Sequence, residues 1–192
     1  MAGTDDFTVK IRGKSGHGAF PHTAIDPIVT ASQIVLSLQT LVSRNVDPLD
    51  SAVVSFYRIH SGTAMNIIPN EAEIAGTIRT LHPATRKIMD ERFHEAIAST
   101  CATHRSDFSI DFERNAPVAF KDDAQTRLAI RAATAIVGEC HVNGNTRPLM
   151  GGEDFAYMLE ARPGASCLSA MATAHLCITP NTISMMMRWN LA

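Results

Sequence analysis

Glu71-Ala72-Glu73-Ile74-Ala75-Gly76-Thr77-Ile78-Arg79-Thr80-Leu81 is the stretch that decides the fold. In an extended chain successive side chains point to opposite faces. Ala72, Ile74, Gly76 and Ile78 therefore share one face, and Glu73, Ala75, Thr77 and Arg79 the other. Outward from this strand, residues 7–12 alternate in the same way, and 52–59 and 108–113 read as two further strands. Between the first and second strands, residues 24–46 carry apolar side chains at Ile25, Ile28, Val29, Ile34, Val35, Leu38 and Leu41, a helical spacing. Asp47-Pro48 stops that helix, because the residue before a proline is pushed out of the helical region. His82-Pro83-Ala84-Thr85 opens a second helix that runs to about His104. The order β-α-β-β-α-β predicts an α+β fold, a four-stranded antiparallel sheet with both helices on one face. Its edges and free face need cover. Beyond Pro117 an amphipathic helix is expected over 122–139, then a Gly-rich turn and a short helix over 154–160, too little chain to close a core of its own.

Composition narrows the function classes. The 192 residues, 45% hydrophobic, have room for one full domain and part of another. Lys and Arg total 17 against 19 Asp and Glu, with no basic stripe, so no nucleic-acid partner is expected. No apolar run reaches the roughly 20 residues of a membrane span, so no membrane partner is expected either. Residues 1–6 lack the charged and apolar regions of a signal peptide, which points to the cytoplasm. Cys101, Cys140, Cys167 and Cys177 show neither zinc-knuckle spacing nor the density of a disulfide scaffold, so reduced thiols are the default.

The chemistry concentrates in Gly16-His17-Gly18-Ala19-Phe20-Pro21-His22, where two histidines stand among glycines and a proline just after the first strand. A histidine on a constrained loop at a strand end is placed to reach a ligand; the alternative is a polar turn with two solvated imidazoles. His60, His82, His94, His104 and His141 show no ligand spacing and read as surface or cap residues.

Four motifs in order carry a resemblance: GKSGHGAFPH at 13–22, GTAMNIIPN at 62–70, GTIRT at 76–80 and MGGEDFAY at 150–157. Together they resemble the metallopeptidase family of aminoacylases and glutamate carboxypeptidases, within it the branch of hippurate hydrolases, N-acyl-amino-acid amidohydrolases and auxin-conjugate hydrolases. The resemblance implies a two-metal catalytic domain interrupted by a lid and dimerisation domain with the β-α-β-β-α-β order. On that basis 1–115 is expected to be the lid, 116–165 a remnant of the α/β catalytic domain, and the partner a second copy bound through the lid. Amide hydrolysis at such a centre needs a metal-activated water, a carboxylate base, and donors for the oxyanion and the substrate carboxylate. By resemblance His17 reaches across the dimer to the scissile carbonyl, Asn66 helps hold the substrate, and Arg79 offers its fork to the carboxylate of an N-acyl amino acid. Gly151 and Gly152 are expected near the substrate, where missing side chains let backbone N–H groups approach; His22 shapes the loop. The alternatives are an exposed strand charge for Arg79, a left-handed turn residue for Asn66 and a helix entry for the glycine pair.

Two departures from the family pattern bear on activity. Met1 begins where the family has already supplied most of its metal ligands. The divalent metal of the full-length family (zinc, manganese or cobalt) is therefore not expected to bind this chain, whose isolated form is expected to be inactive. After Ala165 the family's Gly-Asn-Gly-Asp turn and His-Asn-Pro-x-Tyr-Asp-Phe-Asn-Asp segment are replaced by residues 166–192. Joining the last base of each codon to the first two of the next forces Gly at Met171/Ala172, Asp at Met185/Met186 and Met186/Met187, and Glu at Trp189/Asn190. The same shifted frame permits the missing family segment. A frameshift near Ala165 and Ser166, with 166–192 as an out-of-frame tail, is the expectation, and coincidence the alternative. The tail is expected to be poorly ordered and to expose Met185, Met186, Met187 and Trp189. A free-standing dimerisation or binding module, and one half of a split amidohydrolase, stand as competing readings.

Overall fold

The structure, a computed structural model, describes residues 1–168. Its strands are β1 (Gly3–Arg12), β2 (Gly16–His17), β3 (Ala52–Ser61), β4 (Ile67–Ile68), β5 (Glu71–Thr80) and β6 (Asp107–Ala116). The helices are α1 (Pro27–Asn45), α2 (Pro83–His104), α3 (Asp123–Val137) and α4 (Phe155–Ala161), with single 3-10 turns at Pro21–Thr23 and Glu139–His141. The large sheet has the order β3-β5-β1-β6 with every neighbour antiparallel, and β2 pairs with β4 in a separate two-stranded ribbon.

Both long helices lie on one face of that sheet, as the spacing predicts. Phe7, Val9 and Ile11 of β1 and Ala72, Ile74 and Ile78 of β5 meet Ala31, Ile34, Leu38 and Leu41 of α1 and Met89, Phe93, Ile97 and Cys101 of α2. Phe7 is the centre of this layer, its ring 4.8 Å from that of Phe93 and 5.6 Å from that of Phe56. Pro27 and Pro83 sit in the first turns of α1 and α2, where a missing N–H costs nothing. Asp26 caps α1 by accepting from the Ile28 N–H at 2.8 Å, and Asp122 caps α3 through Gln125 at 2.9 Å.

Strand β1 begins at Gly3, earlier than its alternating stretch at 7–12 suggests, for an electrostatic reason. Asp5 occupies a core-facing position and is itself buried. Its carboxylate is held by the Arg86 fork of α2 at 2.9 and 2.5 Å, and that hydrogen-bonded partner raises the Arg86 pKa despite the opposing effect of burial. A charge standing in an apolar phase hides the strand from a hydrophobicity pattern. The β2–β4 ribbon is too short for periodicity to reveal.

Beyond β6 the packing is thinner. No residue of α3 is buried, and of α4 only Ala156 is. Of the tail expected at 166–192, residues 169–192 lie outside the described residues, with Met185, Met186, Met187 and Trp189 among them. No helix among the described residues is long and apolar enough to cross a membrane.

Candidate functional site

The loop that carries His17 is closed by backbone hydrogen bonds. Lys14 and Ile25 exchange bonds of 2.9 and 3.0 Å, and Gly13 is required there because a Cβ would stand 2.1 Å from the Ile25 carbonyl oxygen. Gly16 pairs with Ile68 and His17 with Ile67, while Ser15 Oγ donates to the Ile68 carbonyl at 2.8 Å. These bonds tie the histidine loop to the connector between β3 and β5, which carries Asn66. Asn66 adopts the left-handed conformation, φ 67, and its carbonyl accepts from the Gly18 N–H at 2.7 Å. His17 and Asn66 are thus brought together, both exposed to solvent. The Ala19 N–H donates to His17 Nδ1 at 3.0 Å, and the Phe20 ring, 57% exposed, leans on the imidazole with centroids 5.6 Å apart. His22 meets Phe20 edge-on, with ring centroids 6.3 Å apart.

Arg79 and the glycine pair form a second group. Arg79 stands opposite Thr4 on β1 and Val53 on β3, on the face away from the helices. The Ala2 N–H donates to the carbonyls of Leu149 and Gly151 at 3.1 and 3.0 Å, which lays the 149–152 segment across the start of β1. There a Cβ on Gly152 would stand 2.1 Å from Thr4 Cγ2 and 3.2 Å from Arg79 Nη1, whereas one on Gly151 would make ordinary contact with Met1. Gly152 is needed for close approach; Gly151 is not. A groove of about 510 Å³ opens beside this end of the sheet, lined by Val42, Val46, Asp50, Ala52, Val53 and Met150. A second, of about 280 Å³, lies over Arg86, Pro117, Val118 and Phe120.

The two groups do not converge. Arg79 pairs with Thr4 at one end of β1, and the His17 loop leaves from Arg12 at the other, about 26 Å away at about 3.3 Å per residue. Thr4, Ala19 and Phe20 are contacts that residue types alone did not single out, although Ala19 and Phe20 both stand inside a quoted motif.

Among the described residues the thiols and acids offer no competing centre. Burial, aided by Asp107, pushes the Cys101 thiol up to about 11, which marks it as a core residue and not a nucleophile. Among the described residues no three His, Cys, Asp or Glu side chains converge, so their donor set does not fit a two-metal centre.

Fold and rim together define an α+β domain with the His17–Asn66 pair at one end of its sheet and Arg79 and Gly152 at the other, the two groups apart among the described residues. The chain belongs to the M20 hydrolase family: its residues 2–105 match the peptidase dimerisation domain. It is 37% identical to the hippurate hydrolase of Campylobacter jejuni over 162 residues, 84% of this chain and 42% of that protein. It is 38% identical to the N-acetyl-L-cysteine deacetylase of Bacillus subtilis over 165 residues, 86% of this chain and 39% of that protein. Among solved structures it superposes on Bacillus subtilis YXEP, a dinuclear metal binding peptidase of the M20 family, with a TM-score of 0.63 and 32% identity over 85% of this chain and 39% of that one. The chain spans about two fifths of the length of these relatives.

Proposed function

We propose that this chain carries the lid and dimerisation part of an amidohydrolase that cleaves the amide bond of N-acyl amino acids, hippurate-like substrates among them, in the cytoplasm. The lid is 1–115, and 116–165 is the part of the catalytic domain present. In this reading each site draws on two copies: His17 and Asn66 of one protomer meet the substrate bound beside Arg79 of the other. The observation that supports it is the separation of the two groups along β1, about 26 Å at about 3.3 Å per residue, too far for both to touch one small substrate within a single copy.

The division of labour follows from the groups themselves. Arg79 offers a planar fork to the substrate carboxylate. Gly152, with no side chain, lets the 149–152 backbone lie against Thr4 and Arg79. His17 lends a hydrogen bond to the carbonyl oxygen as it gains negative charge, the stage at which a fixed donor lowers the barrier most. No step is assigned to a metal, since the described residues bring no three ligands together.

Association is proposed through α1 and the edge of β3. From Pro27 to Ser43 the helix has no charged side chain, and it exposes Ile28, Val29 and Leu36; β3 adds exposed Tyr57 and Ile59. The outward side of α2 is instead laced with pairs such as Lys87–Glu91 and Arg92–Glu95. An isologous interface needs one self-complementary patch, and the uncharged stretch of α1 beside Tyr57 and Ile59 supplies it.

Incubation of the purified chain with hippurate or N-acetyl amino acids and zinc, manganese or cobalt is expected to release no amino acid. Metal-dependent turnover that survives purification would overturn the claim that the isolated chain is inactive.

A further inference from the structure

We infer that Ala19 is a positioning residue: its backbone N–H holds neutral His17 in the tautomer that carries the proton on Nε2. A backbone amide nitrogen can only donate, so the atom it faces must offer a lone pair. The Ala19 nitrogen lies 3.0 Å from His17 Nδ1, and Nδ1 is therefore the imine nitrogen of the ring. Nε2 then bears the single proton of the neutral imidazole, on a side chain exposed to solvent.

The loop fixes this bond from both sides. The preceding amide, Gly18, is taken by the Asn66 carbonyl at 2.7 Å, and the following one, Phe20, by the His17 carbonyl at 2.9 Å. Thr23 secures Phe20 in turn, its N–H at 3.1 Å and its hydroxyl at 2.9 Å both donating to the Phe20 carbonyl. The Phe20 ring, tilted 52° against the imidazole, blocks one side of it. A backbone amide thus does for His17 what a carbonyl or carboxylate does for histidines that must present the opposite nitrogen.

The consequence is chemical. Neutral His17 presents a donor and no base on its outward side: it can polarise an oxygen that gains negative charge, but it cannot remove a proton there. That selects a substrate whose reacting group is a hydrogen-bond acceptor growing more basic, such as the carbonyl of an amide under attack. The identity of that group rests on the hydrolase reading above; the tautomer does not.

The test is two-bond proton–nitrogen correlation spectroscopy on the 192-residue chain labelled with nitrogen-15, above neutral pH, with the His17 signals identified by their loss in His17→Gln. The expected pattern is an imine Nδ1 and a protonated Nε2, with the minor tautomer at least about tenfold rarer than in exposed His22. A nitrogen–nitrogen coupling across the hydrogen bond should link Ala19 to His17. Ala19→Gly keeps the donor and should keep the pattern. Ala19→Pro removes it and should restore the tautomer mixture of His22. A proton on Nδ1, an averaged ring, or no cross-bond coupling in the unsubstituted chain overturns the inference, whether or not the proline variant folds. Since no substrate is present, the tautomer can fail while the hydrolase reading stands, and the hydrolase reading can fail while the tautomer stands.

Discussion

Gly76 lies at the point of closest approach in the sheet. It pairs with Phe7 on one side and Phe56 on the other, and a Cβ would stand 2.5 Å from Phe7 Cζ and 2.3 Å from the Ser55 carbonyl oxygen. Neither neighbour can yield, one being backbone and the other the centre of the core. Gly76→Ala is therefore expected to cost about 3 kcal/mol by urea denaturation, at the upper end of overpacking penalties. The glycine pair allows an internal comparison: Gly152→Ala should lower the melting temperature measurably while Gly151→Ala leaves it nearly unchanged, because only the former drives a methyl into Thr4. The residues a reader of the chain could name were those whose chemistry lies in a side chain inside a motif, namely His17, Asn66 and Arg79. Thr4 and Ala19 act through a methyl met across the chain and through a backbone N–H, and neither contribution is written in residue type.

The start of α2 is held by a neighbour. His82 occupies the cap position without a side-chain hydrogen bond, and Asp50, from the turn before β3, accepts instead from the Thr85 hydroxyl and the Ser51 N–H, with His82 Nε2 at 3.6 Å. Burial alone would push the Asp50 carboxyl up, but those hydrogen bonds and the imidazole together hold it below the ordinary carboxylate value. A carboxyl depressed on folding contributes stability that is present above its unfolded pKa, near 4, and is lost as the pH falls through the folded value. Thr85→Val should therefore cost about 1–2 kcal/mol at neutral pH, with the gap from the parent closing in acid below about pH 4. Most elements were legible because their periods are long and uninterrupted: α1 and α2 begin at their prolines, and β5 alternates throughout. The first residues of β1 were not, because Asp5 puts a charge where the pattern expects an apolar side chain.

At the scale of the whole molecule the proposed pairing can be read by light scattering. The chain is expected to run as a dimer, Leu36→Glu on α1 to shift it to monomer with helix content intact, and Ile88→Glu on α2 to leave the dimer unchanged. A monomer at high concentration in the parent chain would count against the α1–β3 interface. Deletion of 166–192 should improve solubility and leave the melting of the sheet domain nearly unaltered; a large loss of stability would show that the tail belongs to the fold. The DNA around codons 165 and 166 should show the shifted frame directly. The sheet order also has a bearing on synthesis. β1 leaves the ribosome first, yet it sits between β5 and β6, so its inner residues Phe7, Val9 and Ile11 stay without a partner strand until residue 80 has appeared, and their second edge stays open until residue 116. At roughly 5–20 residues per second that wait lasts about 5–20 s, long enough for an unprotected apolar strand to meet another nascent chain. In a protein wired this way a chaperone that covers β1 during translation is expected to raise the yield, and slow codons between β1 and β6 to lower it, without changing a single residue.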